Sequence, residues 1–243
     1  MDCEVENIKP YNGDEHKSSQ IERMFNSIAP AYDVMNFAMT LGLDRCWRRK
    51  AVKLLGHAHH VLDIACGTGD MAMELCRGLH PASLTAIDLS DGMLARARQK
   101  FSSGKYADIV KFEKCDCSSM PYADASFDTI TASFGVRNFE NLLECYREMY
   151  RVITPGGKLC IIELSEPVNR VVLPLFKFYT RCIIPLTGRI VSSDKRAYSY
   201  LPESIAAVPQ RSDMIDIIEK AGFRNGVFYP LTFGVCTIYI AEK

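Results

Sequence analysis

Between His60 and Ala72 the chain changes character twice. Val61, Leu62, Ile64 and Ala65 form a short apolar run, as a strand buried on both faces requires. Cys66-Gly67-Thr68-Gly69 breaks that run, and after Asp70 the residues Met71, Leu75 and Leu79 recur at helical spacing. The pattern predicts a strand, a glycine turn and a helix. Similar units follow: strands over 84–88, 110–114, 127–132 and 159–164, and helices over 91–101 and 140–151, with Pro155-Gly156-Gly157 as a turn. Strands alternating with helices imply a parallel sheet with right-handed crossovers, whose ligands sit outside the carboxyl ends of the strands. A helix over 212–221 and two strands around Gly226 and Gly234 predict a terminal hairpin at the sheet edge.

Residues 1–18 are polar, contain Pro10 and Gly13, and read as a mobile tail before a single domain over 19–243. Within 19–57 one helix ends near Pro30, another apolar segment follows, and 43–55, with Trp47, Arg48, Arg49 and Lys50, is amphipathic. These helices either form a lid or pack on the sheet. An insertion over 167–210 precedes the last helix. Its 167–202 stretch is apolar, with Ile183-Ile184-Pro185-Leu186 and Ile190-Val191, and sets six bases (Arg170, Lys177, Arg181, Arg189, Lys195, Arg196) against one acid, Asp194. Prolines break it too often for a membrane span, which leaves an interfacial segment, a lid over a greasy ligand, or a buried cap.

The glycine turn suits two ligand classes. Gly67-Thr68-Gly69-Asp70-Met71-Ala72 fits a dinucleotide pattern loosely. Asp63, four residues before Gly67, argues otherwise, because a carboxylate there repels a pyrophosphate and welcomes an ammonium. Asp63-x-x-x-Gly67-x-Gly69 resembles the first motif of class I S-adenosylmethionine (SAM) methyltransferases, in which this acid faces the methionyl ammonium. Asp88 ends the second strand 19 residues after Gly69, where a carboxylate can accept from two vicinal ribose hydroxyls.

Composition adds exclusions. Net charge is zero, so nothing in the overall balance points to nucleic acid. Ten cysteines without a disulfide framework suit a reducing compartment. Cys115-x-Cys117 lacks a second pair, and His57, His59 and His60 read as a surface turn, so no metal site is expected. No basic-then-apolar leader and no unbroken apolar span are present, and the expectation is a cytoplasmic protein without an integral anchor, in peripheral contact with the inner face of a membrane if 167–202 is interfacial.

Longer stretches are more selective. The run from Asn26 to Asn36, with Tyr32-Asp33-Val34-Met35-Asn36, resembles the opening signature of the ubiquinone/menaquinone biosynthesis C-methyltransferases, and Ser133-Phe134-Gly135-Val136-Arg137-Asn138 resembles their second. The resemblance covers nearly the whole chain past residue 20. It implies a class I SAM-dependent, Rossmann-like α/β fold: a mostly parallel seven-stranded sheet with a chain-terminal antiparallel strand, N-terminal helices and the helical insertion. It implies SAM as methyl donor, bound at Thr68, Asp88, Asp116, Cys117 and Ser133 beside the glycine turn. Cys115-Asp116-Cys117-Ser118 departs from the family pattern, which puts the adenine contacts there in doubt.

The implied reaction transfers a methyl group to a ring carbon of a polyprenyl hydroquinone. That carbon becomes nucleophilic when the neighbouring phenol, with a pKa near ~10, loses its proton. Arg137 stays protonated and is cast as a phenolate stabiliser or as holder of a water; Asn138 orients that water or a ring oxygen, and Tyr32 is a further candidate. The plainer reading of Arg137 is a salt bridge to an acid such as Glu140. Demethylmenaquinol is the expected acceptor, on the ground that ten free thiols are easier to carry where oxygen is scarce. A methoxy-benzoquinol, another small apolar acceptor and a scaffold without turnover are the alternatives, and a monomer and a homodimer both stay open.

Overall fold

A computed structural model describes residues 3–184 and 196–243. Seven strands form one sheet: β1 (His60–Ile64), β2 (Ser83–Asp88), β3 (Val110–Lys114), β4 (Phe127–Ser133), β5 (Ile153–Leu164), β6 (Arg224–Leu231) and β7 (Cys236–Glu242), in the order β3-β2-β1-β4-β5-β7-β6. β1 to β5 pair in parallel, whereas β7 runs antiparallel between β5 and β6. The chain therefore works outward from β1 to one side, returns to β4, and works outward to the other. A crevice opens where the order reverses, at the carboxyl ends of β1 and β4.

Helices cover both faces. α4 (Leu43–Leu55), α5 (Asp70–Leu79) and α6 (Asp91–Phe101) bury Trp47, Leu55, Met71, Leu75, Leu94 and Phe101 against Val61, Leu84, Cys160 and Ile162. α7 (Leu142–Val152) and α10 (Ser212–Lys220) bury Tyr146, Met149, Met214 and Ile218 against Leu62, Ile130, Leu159 and Ile161. Adjacent residues of β1 thus serve opposite cores, which accounts for the unbroken apolar run.

A third, smaller core sits over the carboxyl edge of the sheet. It joins α2 (Lys17–Ile28) and α3 (Tyr32–Thr40) to α9 (Arg196–Ala207) through Ile21, Met24, Met35, Met93, Ile184 and Tyr200. α8 (Val172–Phe178), followed by a wider helical turn over Tyr179–Ile183, borders it and buries none of its own residues. Pro185, Leu186, Arg189, Ile190, Val191, Asp194 and Lys195 lie outside the described residues.

Three expectations are adjusted. Residues 3–18 are not a loose tail: α1 (Glu4–Asn7) buries Val5 completely, and Glu6 Oε1 accepts from the Leu142 amide at 2.8 Å. α7 starts at Leu142 rather than at Glu140, because Asn141 caps it through the Glu144 amide. β5 begins at Ile153, and Pro155-Gly156-Gly157 is an outward bulge inside it, where the register with β4 shifts between Phe127 and Thr129.

Candidate active site

Two backbone reversals shape the crevice. After β1, Ala65, Gly67 and Gly69 all take positive φ (52°, 55° and 83°), which curls the turn back toward β2. After β4, Phe134 does the same at φ 60°, and a Cβ on Gly135 would lie 2.5 Å from the Cβ of Ala65. The two strand ends therefore touch, and only glycine fits at 135.

Above them lies a cavity, open to solvent, with about 1030 Å³ of empty space. Gly67, Asp88, Asp116, Cys117, Ser133, Tyr32 and Asn138 all line it, as do Ser18, Ile21, Glu22 and Phe25 of α2. Asp88 accepts from the Gly67 amide at 2.8 Å through Oδ2 and from the Ser90 amide at 2.9 Å through Oδ1. Burial pushes its pKa up, opposed by these amides. Each oxygen keeps a lone pair for a further donor. Asp116 Oδ1 takes the amide and hydroxyl of Ser118, and the Cys117 thiol contacts that of Cys145 at 3.1 Å.

Three expected residues do not line this cavity. Gly69 is the N-cap of α5, and Thr68 is buried, donating to Asp33 of α3 and accepting from Lys100 at 3.2 Å. Asp63 is fully buried in β1, where Oδ1 accepts from Thr131 of β4 at 2.6 Å and Oδ2 has no partner. Burial pushes its pKa up to about 7, against the Thr131 hydrogen bond and Arg48.

A second cavity, of about 1520 Å³, meets the first at Phe25, Tyr32, Phe134 and Asn138. Its walls are apolar: Met24, Ile28, Met39, Leu164, Phe176 and Ile184 among them, with Arg137, Tyr200 and Asn36 as polar points. Among the described residues, no Asp, Glu or His lines it.

Arg137 is not paired with Glu140, which instead accepts from the Ser18 amide at 3.2 Å and meets the His16 ring at 3.0 Å. Its Nη1 donates to Glu163 Oε1 at 2.7 Å and to the Phe134 carbonyl, and both side chains are buried. Burial pulls the guanidinium pKa down, but Glu163, Tyr32 and Tyr200 together turn the net shift upward. Asn138 Oδ1 accepts from the Tyr200 hydroxyl at 3.0 Å. Burial pushes the Tyr32 phenol up to about 12, against Arg137 and Arg48, so Tyr32 stays a donor rather than a base. Glu163 and Tyr200 escape a reading of the sequence, although Glu163 sits near the end of its strand as Asp88 does.

Among the described residues, buried polar atoms without a partner include Ser133 Oγ on the first cavity and Asn36 Nδ2 and Arg137 Nε on the second, with Arg48 Nε, Asp63 Oδ2, Asp128 Oδ1 and Arg211 Nε elsewhere. Such groups await a ligand or water. Asp88 with lone pairs to spare, a turn open at Gly67 and the unpartnered Ser133 hydroxyl on the cavity wall fit an adenosyl ligand, whereas Asp63 lies outside that lining. The donor set holds no cluster of His, Cys, Asp and Glu arranged for a metal among the described residues.

The chain matches the model of the ubiE/COQ5 methyltransferase family over residues 13–243. It belongs to that family. Its relatives include a demethylmenaquinone methyltransferase of Bacteroides fragilis, 44% identical with 100% of each chain covered. The ubiquinone/menaquinone biosynthesis C-methyltransferase UbiE of Geobacter sulfurreducens is 37% identical over 100% of this chain and 95% of its own. Among solved structures, a SAM-dependent methyltransferase of Thermotoga maritima shares the fold (TM-score 0.65, 18% identity, 91% of this chain and 99% of that one). The enzyme is therefore a SAM-dependent methyltransferase, with two adjoining cavities at the carboxyl ends of its strands.

Proposed function

We propose that this enzyme methylates a ring carbon of a polyprenyl hydroquinone, converting demethylmenaquinol to menaquinol with SAM as donor. The observation that carries this reading is the meeting of a cavity that holds the Asp88, Asp116 and Ser133 side chains with a more apolar cavity of about 1520 Å³ at Tyr32, Phe134 and Asn138. When bound, SAM supplies an electrophilic methyl group on a sulfonium. Arg137, held by Glu163, stabilises the ring oxygen as it ionises, and Asn138, fixed by Tyr200, orients that oxygen or the water that takes its proton. After methyl addition the ring carbon's own proton leaves, the oxygen is reprotonated and the hydroquinone is restored. Arg137 and Tyr32 both keep their protons at neutral pH, which favours charge stabilisation over general-base catalysis by either of them. Phe134 and the apolar walls exclude water, which strengthens the Arg137 interaction.

The acceptor's tail explains the surface. Val34 and Phe37 of α3, Leu41 just after it, Leu175 and Phe178 of α8, Val171 just before α8, and Phe233 at the hairpin tip are 53–76% exposed. Leu41 and Leu175 also line the apolar cavity, so this greasy rim borders its entrance. An exposed patch of that kind, with Arg170, Lys177 and Arg181 interleaved, suits peripheral contact with the cytoplasmic face of a membrane that delivers the substrate. Among the described residues no helix is long and apolar enough to cross a membrane.

Transfer of labelled methyl from SAM to reduced naphthoquinol and benzoquinol acceptors, run in parallel, tests the function. Labelled menaquinol supports it, product on the benzoquinol alone reassigns the acceptor, and no product on either overturns the hydroquinone reading.

A further inference from the structure

Lys17 is the first residue of α2 and is completely buried. Its Nζ donates to the Val5 carbonyl at 2.6 Å and to the Arg137 carbonyl at 3.1 Å, so one ammonium joins α1 and α2 to the turn that carries Arg137 and Asn138. A buried lysine is costly unless its donors are used, and a surface role would not need it here. The same face is tied twice more, by Glu140 to Ser18 and His16 and by Glu6 to the Leu142 amide. Tyr200 of α9 approaches the Arg137 carbonyl from the other side at 3.5 Å. α2 meanwhile supplies Ser18, Ile21, Glu22 and Phe25 to the wall of the polar cavity.

We propose that Lys17 is a positioning residue, which couples the seating of α2 over the donor cavity to the placement of the Arg137–Asn138 turn at the acceptor ring. With α2 seated, the ammonium fixes the Arg137 carbonyl and so the reach of its guanidinium. With α2 lifted, the turn loses that anchor. The donor site and the group that stabilises phenolate are thereby set in one movement, and the methyl donor is not exposed to water beside a competent turn. This inference rests on the proposed phenolate role of Arg137.

The groups facing Lys17 are Glu6 on α1, Glu140 and Arg137 on the connection between β4 and α7, and Tyr200 beyond the Arg137 carbonyl. Burial pulls its pKa down to about 8, opposed by Glu6 and Glu140 and assisted by Arg137. Below that pH its hydrogen bonds are charge-assisted; above it a neutral amine makes weaker ones.

The test compares wild type, Lys17→Met and Glu6→Gln. Glu6→Gln weakens the docking of the N-terminal segment and is compared well below pH 8, where Lys17 stays charged without this carboxylate. Each is assayed for melting temperature, calorimetric SAM affinity and single-turnover methylation of a naphthoquinol at saturating SAM. Lys17→Met should lose at least roughly tenfold in single-turnover rate, as misplacement of a positioned group does, while remaining folded and binding SAM. Its deficit relative to wild type should shrink as pH is raised through about 8, which a general packing defect would not show. Glu6→Gln should keep most of the rate. A Lys17→Met rate within about twofold of wild type, a pH-independent deficit, or an equal loss in Glu6→Gln would overturn the proposal. Wild-type turnover in the same assay separates such a failure from failure of the hydroquinone reading.

Discussion

Arg137 and Glu163 form a buried ion pair, Nη1 to Oε1 at 2.7 Å, with Glu163 also accepting from the Leu164 amide at 2.8 Å and the Arg137 amide at 3.3 Å. The carboxylate is thus spent on aiming one guanidinium. Arg137→Ala should retain SAM affinity, lose most of the single-turnover rate, and destabilise the fold by roughly 3–5 kcal/mol, because Glu163 is left buried and unpaired. Adding Glu163→Gln should recover much of that stability and none of the rate. Recovery of rate in the double variant would make Arg137 a purely structural residue.

Asp88 serves both the backbone and the donor cavity, since its Oδ2 holds the Gly67 amide at 2.8 Å. Asp88→Ala should weaken SAM binding by roughly 1.5–3 kcal/mol, the worth of hydrogen bonds to a charged acceptor. Gly67→Val should cost more, because the backbone there has φ 55°. Calorimetric titration measures both, and unchanged affinity in the two variants would remove SAM from this cavity.

The strands and the glycine turn were legible because their signals are local. Val61 to Ala65 is apolar on consecutive residues, and Asp88 ends a strand at the distance a ribose requires. The order of the N-terminal segment was not legible, because Val5 and Lys17 are buried only by docking onto residues more than a hundred positions away. The partner of Arg137 was missed for the same reason. Glu140, nearest along the chain, turns toward His16 and Ser18, while Glu163 arrives from the neighbouring strand. Asp63 was legible as an acid and not as a buried one, since its orientation depends on the β1–β4 register that sets it beside Thr131.

That burial has a pH consequence. Asp63 is pushed up to about 7 in the fold from an ordinary value of 3.8, so the native state holds its proton over a range where the unfolded chain has lost it. Stability contributed by this group is present below about 4 and declines as pH rises to about 7. Denaturant titrations should show that slope in wild type and a flatter one in Asp63→Asn. An unchanged slope in the variant would assign the pH dependence to another group.

The exposed rim around the apolar cavity predicts lipid binding. Phe233 is 76% and Leu175 65% exposed; Leu175 lines the cavity, and Phe233 lies between Thr232 and Val235, which line it too. Changing both to Ser should reduce flotation with anionic vesicles without altering SAM affinity, and Lys177→Glu with Arg181→Glu should make binding less sensitive to salt. Flotation indifferent to all four changes would point to a soluble carrier for the acceptor instead.

The acceptor's redox state follows from the residues that meet it. Arg137 offers a cation whose charge is secured by Glu163, Tyr32 offers a phenol held protonated by burial, and neither can withdraw a proton at neutral pH. What they can do is stabilise an oxygen that becomes negative. Only the reduced ring has a phenol to ionise, and only its anion pushes electron density onto the neighbouring carbon. Demethylmenaquinol held under reductant should therefore be methylated, with little product from the oxidised quinone under the same conditions. The rate should rise with pH toward the phenol's own value near ~10, less steeply in wild type than in Arg137→Ala, whose residual turnover depends on ionisation in solution. Equal rates on the oxidised and reduced acceptors would exclude a phenolate and leave Arg137 without its proposed task, whichever ring the enzyme prefers.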